Sequence, residues 1–314
     1  HLFIQFFKFK FIIMSCLKKK ASIEDNILKF EIFESTAKSV TNFYSEKPFP
    51  NYKADDNKIS ILNSGDRNYL AKTFKKSVGF NKDVLEIGCG TGQLSIYFAI
   101  GTNNRVIGLD PTLESLKLAS KFTKDNEISN VIFVNADLFD DVLKDRYFDF
   151  IWCNGVLHHT KDPYGGFKLS IKYLKKDGFI LIGLYNKFGR IRTKIRKYIY
   201  KLFGKKIIML LDPMLRKKRF KSDDQVDAWI RDQYLHPVES VHTFDEVLRW
   251  FDDNDIEFIS SIPEQDFNNT VNSNIFDKCD KGTIFSRIFN QIKMLFTSYG
   301  DDGGLFIFIG RKNV

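Results

Sequence analysis

The chain has 314 residues, which is enough for one large α/β domain or two small ones. Its hydrophobic content of 43% and its charged content of 28% are typical of a soluble globular protein. The four cysteines form no C-x-x-C pair, so the sequence indicates neither a zinc site nor a disulfide framework, and we expect a reducing, cytoplasmic environment.

Residues 1–13 are an unusual run of Phe, Ile and Lys before Met14. The run is too short to span a membrane and is interrupted by Lys8 and Lys10. It also lacks the small-residue cleavage site of a signal peptide. We therefore expect residues 1–13 to be upstream reading frame or a disordered tail, with an N-terminal membrane anchor as the alternative.

Residues 14–64 are expected to form an N-terminal segment of helix and loop. Apolar residues recur at helical spacing over residues 22–44, which predicts a helix that ends at the prolines of residues 47–50. Residues 43–52 combine aromatic side chains with two prolines. We expect them to form a rigid loop just before the core.

From Gly65 onward, short apolar runs alternate with segments of helix length. The predicted strands are residues 84–87, 106–109, 131–135, 148–152 and 179–184. This alternation predicts a Rossmann-like α/β fold, in which a parallel sheet with right-handed crossovers carries helices on both faces. A sheet of this kind binds its ligand at the carboxyl ends of the strands.

The first of these strands runs into a glycine-rich turn, V-L-E-I-G-C-G-T-G-Q-L, at residues 84–94. Gly88, Gly90 and Gly92 permit positive φ and let a ligand lie against bare backbone, beside the unpaired N–H groups of a helix start. A nicotinamide or flavin site would have G-x-G-x-x-G, but here Gln93 occupies the place of the third glycine. The form E-x-G-C-G-T-G instead resembles motif I of the class I S-adenosylmethionine-dependent methyltransferases.

Two further strand ends carry acidic residues. Asp110 closes the second strand before Pro111 and Thr112, where a carboxylate can accept both hydroxyls of a ribose. Capping of the following helix is an alternative role that is compatible with the first. Asp137 with Leu138 matches the position at which the acidic residue of the resembling family meets the adenine amino group.

The segment after the fourth strand, N-G-V-L-H-H-T-K-D-P, resembles that of small-molecule methyltransferases related to quinone-biosynthesis enzymes. The resemblance covers about residues 80–185 within an expected core of residues 65–185. It implies S-adenosylmethionine as the cofactor. The residues that it implies for cofactor binding are Glu86, Gly88, Cys89, Gly90, Gly92, Gln93, Asp110, Pro111, Thr112, Asp137, Leu138, Asn154, Gly155 and Val156.

His158 and His159 are candidate catalytic residues. An imidazole with a pKa near 6.5 can remove a proton from a substrate hydroxyl or acidic carbon as the methyl arrives. A structural role is the alternative, because these histidines recur in the resembling family among enzymes with different chemistries.

Four residues are candidates for substrate contact: Tyr44, Tyr52, Tyr234 and His236. The first two lie in an N-terminal segment that often folds over the cofactor or substrate in the resembling methyltransferases, although they equally suit the edge of a core. The other two belong to a polar stretch at residues 232–244 whose spacing matches no metal site.

Residues 187–221 contain fourteen Lys or Arg and a single acidic residue, Asp212. This segment has a net charge of +13, whereas the rest of the chain has a net charge of −4. Ile191, Ile195, Ile199 and Leu202 recur at helical spacing, which predicts a basic amphipathic helix. Such a helix can lie on an anionic membrane, follow a phosphate backbone or cover an acidic substrate, or its apolar stripe can simply dock on the core.

The remainder of the chain is expected to complete the sheet over residues 242–314. A capped helix begins at Thr243, strands are predicted at residues 256–260 and 304–310, and an amphipathic helix at residues 284–296. The resemblance implies a seven-stranded sheet whose last strand is antiparallel. Residues 186–241 and 263–302 leave the sheet as inserts that we expect to build a cap over the substrate.

Together these features predict a methyltransferase that moves the activated methyl of S-adenosylmethionine to a small molecule or lipid-like metabolite by in-line displacement. An RNA methyltransferase that uses the basic segment is one alternative. A non-catalytic interaction module built on a cofactor-binding fold is the other. No metal is expected.

Overall fold

The computed structural model describes residues 15–31, 35–46, 48, 50–53, 55–216, 222–265, 274–297 and 303–313. The tail expected at residues 1–13 lies outside them. Within the described residues, the strands are β1 (Ser22–Glu24), β2 (Ile27–Lys29), β3 (Asp83–Ile87), β4 (Arg105–Asp110), β5 (Val131–Asn135), β6 (Phe148–Asn154), β7 (Leu174–Tyr185), β8 (Ile256–Ile262) and β9 (Leu305–Lys312).

The α-helices of the same residues are α1 (Ser35–Glu46), α2 (Lys58–Arg67), α3 (Tyr69–Val78), α4 (Gln93–Ala99), α5 (Leu113–Asp125), α6 (Pro163–Tyr173), α7 (Ile191–Leu211), α8 (Pro213–Arg216), α9 (Asp223–Ile230), α10 (Phe244–Asp252) and α11 (Ile284–Phe296). Short 3₁₀ turns lie at Leu138–Asp140 and Leu157–His159, and a π turn at Arg231–Leu235. No helix in the described part of the chain is long and apolar enough to cross a bilayer.

The described strands form one sheet in the order β1-β2-β5-β4-β3-β6-β7-β9-β8. Strands β5, β4, β3, β6 and β7 are parallel, and β9 lies antiparallel between β7 and β8. All seven predicted strands are therefore present, and the antiparallel insertion of the last strand is confirmed. The described sheet nevertheless has nine strands and not seven, because β1 and β2 extend it beyond β5. The Rossmann-like α/β fold follows from this order.

The helix predicted over residues 22–44 is wrong in its first half. Residues 22–29 form the hairpin β1–β2, because Asp25 and Asn26 take positive φ (47° and 66°) and reverse the chain. Ile27 and Leu28 are then buried where β2 pairs in parallel with β5. Within the described residues, the first helix is α1, which starts at Ser35.

The parallel strands are buried on both faces of the sheet. In β3, Leu85 and Ile87 contribute to one core cluster and Val84 to another, because successive side chains of a strand point to opposite faces. The predicted helix α10 packs on the sheet through Phe244 and Phe251, and the Thr243 side chain caps its first turn in a capping box. The sheet is thus a rigid platform whose strand ends meet at one edge.

The basic segment forms α7, which a left-handed Gly204 interrupts. The expectation that its apolar stripe docks on the core is wrong for Ile191, Ile195 and Leu202, which are exposed. Ile199 alone of the predicted stripe packs, partly buried, on a separate small cluster around Trp229. Most of the apolar stripe therefore faces away from the protein.

Candidate functional site

The chain leaves β3 through three glycines with positive φ, Gly88 (70°), Gly90 (52°) and Gly92 (71°). The N–H of Gly88 donates to the carbonyl of Leu109 in the neighbouring strand at 2.8 Å. A Cβ on Gly88 would lie 2.4 Å from Cγ2 of Val156, so no larger residue fits there. The turn therefore presents bare backbone at the end of β3.

Asp110 braces this turn from the end of β4. Its Oδ2 accepts the N–H of Gly90 and its Oδ1 accepts the N–H of Thr112, both at 2.8 Å. Burial raises the pKa of the carboxyl, and these two N–H groups oppose the rise. Asp110 thus supports the turn and the entrance to α5 at the same time.

Glu86 lies beneath the turn and accepts a hydrogen bond from the hydroxyl of Ser95. Complete burial raises the pKa of Glu86 to about 8, although Ser95 favours the ionised form. The negative charge of Asp110 acts in the same direction as burial. A substantial fraction of Glu86 is consequently protonated at neutral pH.

The turn and both carboxylates face one cavity of about 560 Å³ at the carboxyl ends of β3, β4 and β6. Most of the residues selected from the sequence line it: Tyr44, Glu86, Gly88, Cys89, Gly90, Gln93, Asp110, Pro111, Thr112, Asp137, Leu138, Asn154, Gly155, Val156, His159 and His236. Four selected residues do not belong to its wall: Tyr52, Gly92, His158 and Tyr234.

The N-terminal loop is fastened directly to the glycine-rich turn. The hydroxyl of Tyr52 donates to the carbonyl of Thr91 at 2.7 Å, and the hydroxyl of Thr91 donates to the carbonyl of Pro50. The ring of Tyr52 stacks on Phe122 of α5 with centroids 4.6 Å apart. Tyr52 therefore acts on the cavity from behind its wall, while Tyr44 lies on the wall itself.

A histidine pair lies on the opposite wall. Nδ1 of His159 and Nδ1 of His236 each lie 2.7 Å from the carbonyl oxygen of Val238. A carbonyl oxygen only accepts, so both Nδ1 atoms carry a hydrogen and each neutral ring has its lone pair on Nε2. The N–H of Val238 also lies 3.3 Å from Nδ1 of His236, but this longer contact is not a hydrogen bond when Nδ1 donates to the carbonyl. Burial lowers the pKa of His159 and lowers that of His236 to about 4. Both imidazoles are therefore neutral proton acceptors near pH 7.

The other two polar candidates are placed away from the cavity. His158 is fully buried, its ring lies 3.9 Å from that of Tyr185, and neither of its ring nitrogens has a hydrogen-bond partner among the described residues. Burial lowers the pKa of His158 well below its ordinary value. Tyr234 donates to Oδ2 of Asp212 at 2.5 Å inside the small cluster beneath α7.

Residues of the π turn that sequence reasoning missed also line the cavity, namely Asp232 and Gln233. Oδ1 of Asp232 accepts the hydroxyl of Tyr44 at 2.7 Å. A π turn holds more residues per turn than an α-helix, which shifts the phase of the side chains. That shift places Asp232, Gln233 and His236 on the cavity and leaves Tyr234 off it, and no helical spacing in the sequence signals it.

A buried arginine holds this wall in place. Arg190, completely buried, donates to Glu239 at 2.8 Å and to the side chain of Gln233 at 2.6 Å. Its guanidinium lies 3.7 Å from the centroid of the Tyr185 ring. Burial alone would raise the pKa of Glu239, but Arg190 holds it below its ordinary value. The charge of Arg190 is therefore paired within the protein.

The residues present fit an adenosine-bearing cofactor. The left-handed glycine turn leaves room for a ligand against its backbone, and Oδ1 of Asn154, which also lines the cavity, is buried without a partner among the described residues. An unpartnered acceptor of this kind is available to a bound amino group. No cluster of His, Cys, Asp and Glu suited to a metal occurs in the described ranges.

A family model described as a methyltransferase domain matches residues 80–202. A ubiquinone biosynthesis O-methyltransferase from Actinobacillus pleuropneumoniae serotype 5b (strain L20) is 28% identical over 161 residues, which cover 49% of this chain and 64% of the relative. One from Glaesserella parasuis serovar 5 (strain SH0165) is 30% identical over 135 residues, which cover 40% and 56%. The chain thus spans less than two thirds of the length of these relatives.

Solved structures share the fold. PKMT2 from Rickettsia typhi in complex with AdoHcy matches with a TM-score of 0.53 and 17% identity, over 78% of this chain and 52% of that chain. This likeness supports the Rossmann-like architecture alone. Residues 80–202, which match the methyltransferase-domain model, contain the glycine-rich turn and the strand ends that line the cavity.

Proposed function

We propose that the chain transfers the activated methyl of S-adenosylmethionine to a nucleophilic atom of a small molecule or lipid-like metabolite. One observation carries the proposal: the glycine-rich turn, Glu86 and Asp110 all line a single cavity of about 560 Å³. That volume lies in the range of pockets that enclose small molecules.

The cofactor would be held by the turn and by the strand-end residues Asp110, Asp137 and Asn154. Each oxygen of Asp110 accepts one backbone N–H and keeps a second lone pair for a ribose hydroxyl. When bound, S-adenosylmethionine supplies an electrophilic methyl on a sulfonium, which a nucleophile displaces in line. The role of the protein is to align the two reactants and exclude water.

We assign His159 and His236 as the groups that take the proton from the molecule that accepts the methyl. Both rings line the cavity, and both are neutral at pH 7 with Nε2 unprotonated. Nε2 of His236 is buried without a partner among the described residues, so it is free to take a proton from a substrate hydroxyl. His158 has no such access to the cavity.

Water exclusion is assigned to the loop at Pro50 and Tyr52 and to the cap. We keep residues 65–185 as the cofactor-binding core and residues 186–241 as the insert that builds the cap. No described residue of the second insert, 263–302, lines the cavity. Asp232 and His236 from the first insert line the cavity together with Tyr44 from the N-terminal segment. The acceptor would therefore be enclosed by parts of the chain that lie outside the core.

Relatives support a small acceptor. The curated relatives above act in ubiquinone biosynthesis as O-methyltransferases, according to their names. A geranyl diphosphate C-methyltransferase from Streptomyces coelicolor A3(2) shares the fold, with a TM-score of 0.50 and 12% identity over 90% of this chain and 100% of that chain. The names of these relatives support oxygen and carbon as candidate accepting atoms.

The proposal is tested by calorimetric titration with S-adenosylhomocysteine followed by a transfer assay with methyl-labelled cofactor. We expect the wild type to bind and Asp110→Ala to bind at least 100-fold more weakly, since the variant loses both the ribose acceptor and the brace of the turn. Asp177→Ala, which removes an exposed carboxylate paired with Arg311, is the matched control and should bind normally.

Label should then appear in solvent-extracted metabolites of a cell extract and not in RNA. Label in RNA would replace the small-molecule acceptor with the RNA alternative. Failure of the wild type to bind S-adenosylhomocysteine would favour the non-catalytic alternative.

A further inference from the structure

The helix α11 packs on the protein through its polar side and exposes its apolar side, which is the opposite of an ordinary amphipathic surface helix. The side that packs on the protein is largely polar and carries Ser286, Arg287, Asn290 and Gln291. The outward side is apolar: Phe285 is 84% exposed and Phe296 is 74% exposed. The further exposed residues of the same side are Ile284, Ile288, Phe289 and Ile292. Surface helices of globular proteins normally turn their apolar side inward.

The first half of α7 shows the same arrangement. Ile191, Ile195, Tyr198 and Leu202 follow the spacing of one helical stripe, and all four are exposed, Leu202 by 77%. Lys194 and Lys201 are exposed on one flank of the stripe. Neither α7 nor α11 contains an acidic residue.

The two helices meet near the active-site cavity. The guanidinium of Arg192, in the first turn of α7, donates to the carbonyl of Phe296, in the last turn of α11, at 3.4 Å. A second small cavity lies between the helices, and Trp229 and Gln233 line both this cavity and the large one. The first turn of α7 and the last turn of α11 are thus in contact next to the candidate site. We call the exposed apolar sides of these two helices the docking face.

We propose that the docking face binds the surface of an anionic lipid bilayer, with both helices lying in the plane of the interface. An interfacial helix buries an apolar stripe at the level of the acyl chains and keeps flanking Lys and Arg among the headgroups, which is the pattern of α7. The helix α7 carries seven Lys or Arg and no acidic residue, so its charge complements anionic headgroups.

Charge and chemistry disfavour the other occupants. Two copies of the chain packed face to face would bring two strongly basic segments together, and like charges repel. An RNA would neutralise the lysines, and its bases can stack on exposed aromatic side chains such as Tyr198 and Phe285. It would leave the aliphatic side chains of both helices in water, which are Ile191, Ile195, Leu202, Ile284, Ile288 and Ile292. A lipid surface satisfies both the apolar stripe and the cations.

The inference goes beyond the proposed methyl transfer and does not depend on it. Binding to vesicles is measured without cofactor or acceptor, so the two proposals fail independently. If both hold, a lipid-like acceptor dissolved in the bilayer would lie near the wall that the two cavities share, since Trp229 and Gln233 line both.

The test is co-sedimentation of the full chain with vesicles of phosphatidylcholine containing 30% phosphatidylglycerol, compared with vesicles of phosphatidylcholine alone. We expect binding to the anionic vesicles that weakens at least tenfold in 0.5 M NaCl, since surface charges are screened at that ionic strength. Variant Leu202→Gln/Phe285→Gln/Phe296→Gln should bind at least tenfold more weakly, and so should Lys194→Glu/Lys201→Glu.

Matched controls come from another part of the surface. Ile59→Gln/Phe80→Gln removes exposed apolar side chains (68% and 62% exposed), and Lys72→Glu/Lys76→Glu reverses two exposed charges of α3. Both should bind vesicles like the wild type, and all four variants change exposed side chains, so circular dichroism should show the wild-type fold.

Several outcomes would overturn the inference. One is wild-type binding that the docking-face variants and the control variants weaken equally. A second is a dimer by light scattering that dissociates in the triple variant while no vesicle binding occurs, which would make the face a contact between copies. A third is salt-sensitive binding to a random-sequence RNA with no binding to vesicles.

Discussion

The imidazoles of His159 and His236 stack with their ring centroids 3.6 Å apart, and both donate Nδ1–H to the same carbonyl oxygen, that of Val238. The shared acceptor determines the tautomer of both rings, so a proton delivered to either ring must go to Nε2. The two residues are 77 positions apart in the chain, and β6 and the π turn bring them together.

This pair predicts a pH dependence of methyl transfer. Because burial lowers the pKa of both rings, to about 4 for His236, the neutral form dominates above these values. The apparent kcat should rise between about pH 4 and 6.5 and then become constant. His236→Asn should lower kcat at least tenfold with little change in the affinity for S-adenosylhomocysteine. A full rate in this variant would remove His236 from the reaction.

His158→Leu is predicted to keep methyl transfer within threefold of the wild type, because His158 does not line the cavity. Its two ring nitrogens are buried without partners among the described residues, which is costly. The free energy of unfolding, from urea titration, should therefore rise by about 1 kcal/mol after the loss of ring packing on Tyr185 is included. A large loss of activity at unchanged stability would restore His158 as a catalytic candidate.

Glu86→Gln is predicted to stabilise the protein in a pH-dependent way. The pKa of Glu86 is raised from 4.5 to about 8 by burial, so the folded state resists ionisation, and the wild type loses stability as the pH rises from about 4.5 to 8. The glutamine of the variant does not ionise, so its stability does not fall over this pH range. Urea titrations should show it more stable than the wild type by more than 1 kcal/mol at pH 8 and nearly equal to it at pH 5. Equal stabilities at both values would refute the assignment.

Tyr52→Phe removes one hydroxyl of the fastening between the N-terminal loop and the glycine-rich turn. A hydrogen bond of this kind contributes about 1 kcal/mol, so the affinity for S-adenosylhomocysteine should fall roughly fivefold if the loop closes over the cofactor. Tyr69→Phe, at an exposed tyrosine of α3, should leave the affinity unchanged. Identical affinities in the two variants would show that the loop does not act on binding.

Gly88→Ala should abolish cofactor binding and lower stability by about 2–4 kcal/mol, because the new Cβ would clash with Val156 in addition to the strain of a positive φ. Gly101→Ala separates the strain of a positive φ from the steric clash of the new Cβ. Gly101 has a φ of 73°, but its Cβ would meet nothing within 4 Å. It should cost only about 1 kcal/mol, by thermal unfolding, and leave binding intact.

Local patterns in the sequence were sufficient for the central sheet. Strands such as β5 and β6 are short apolar runs with glycine or acidic residues at their ends, and those signals are independent of the rest of the chain. The hairpin β1–β2 was missed because Ile23 and Ile27 also suit a helix, and only the contact of β2 with β5 decides between the two.

The cofactor side of the cavity was predictable for the same reason, since each strand end carries its own residue. The acceptor side was not, because Tyr44, Asp232 and His236 come from segments whose mutual position depends on tertiary packing and on a π turn. The sequence also could not predict that the apolar stripe of α7 faces outward. Periodicity shows that a helix has an apolar and a polar side but not which of them packs on the protein.

Arg190 begins α7 and lies against the cavity wall at the same time. Separating its guanidinium from Glu239 and Gln233 would leave an unpaired charge buried in the protein, which costs about 3–5 kcal/mol. The start of α7 and that wall should consequently travel together as one mechanical unit, with no hinge between them. A force that displaces the outer side of α7 would therefore also displace the cavity wall and change its contacts with a bound molecule.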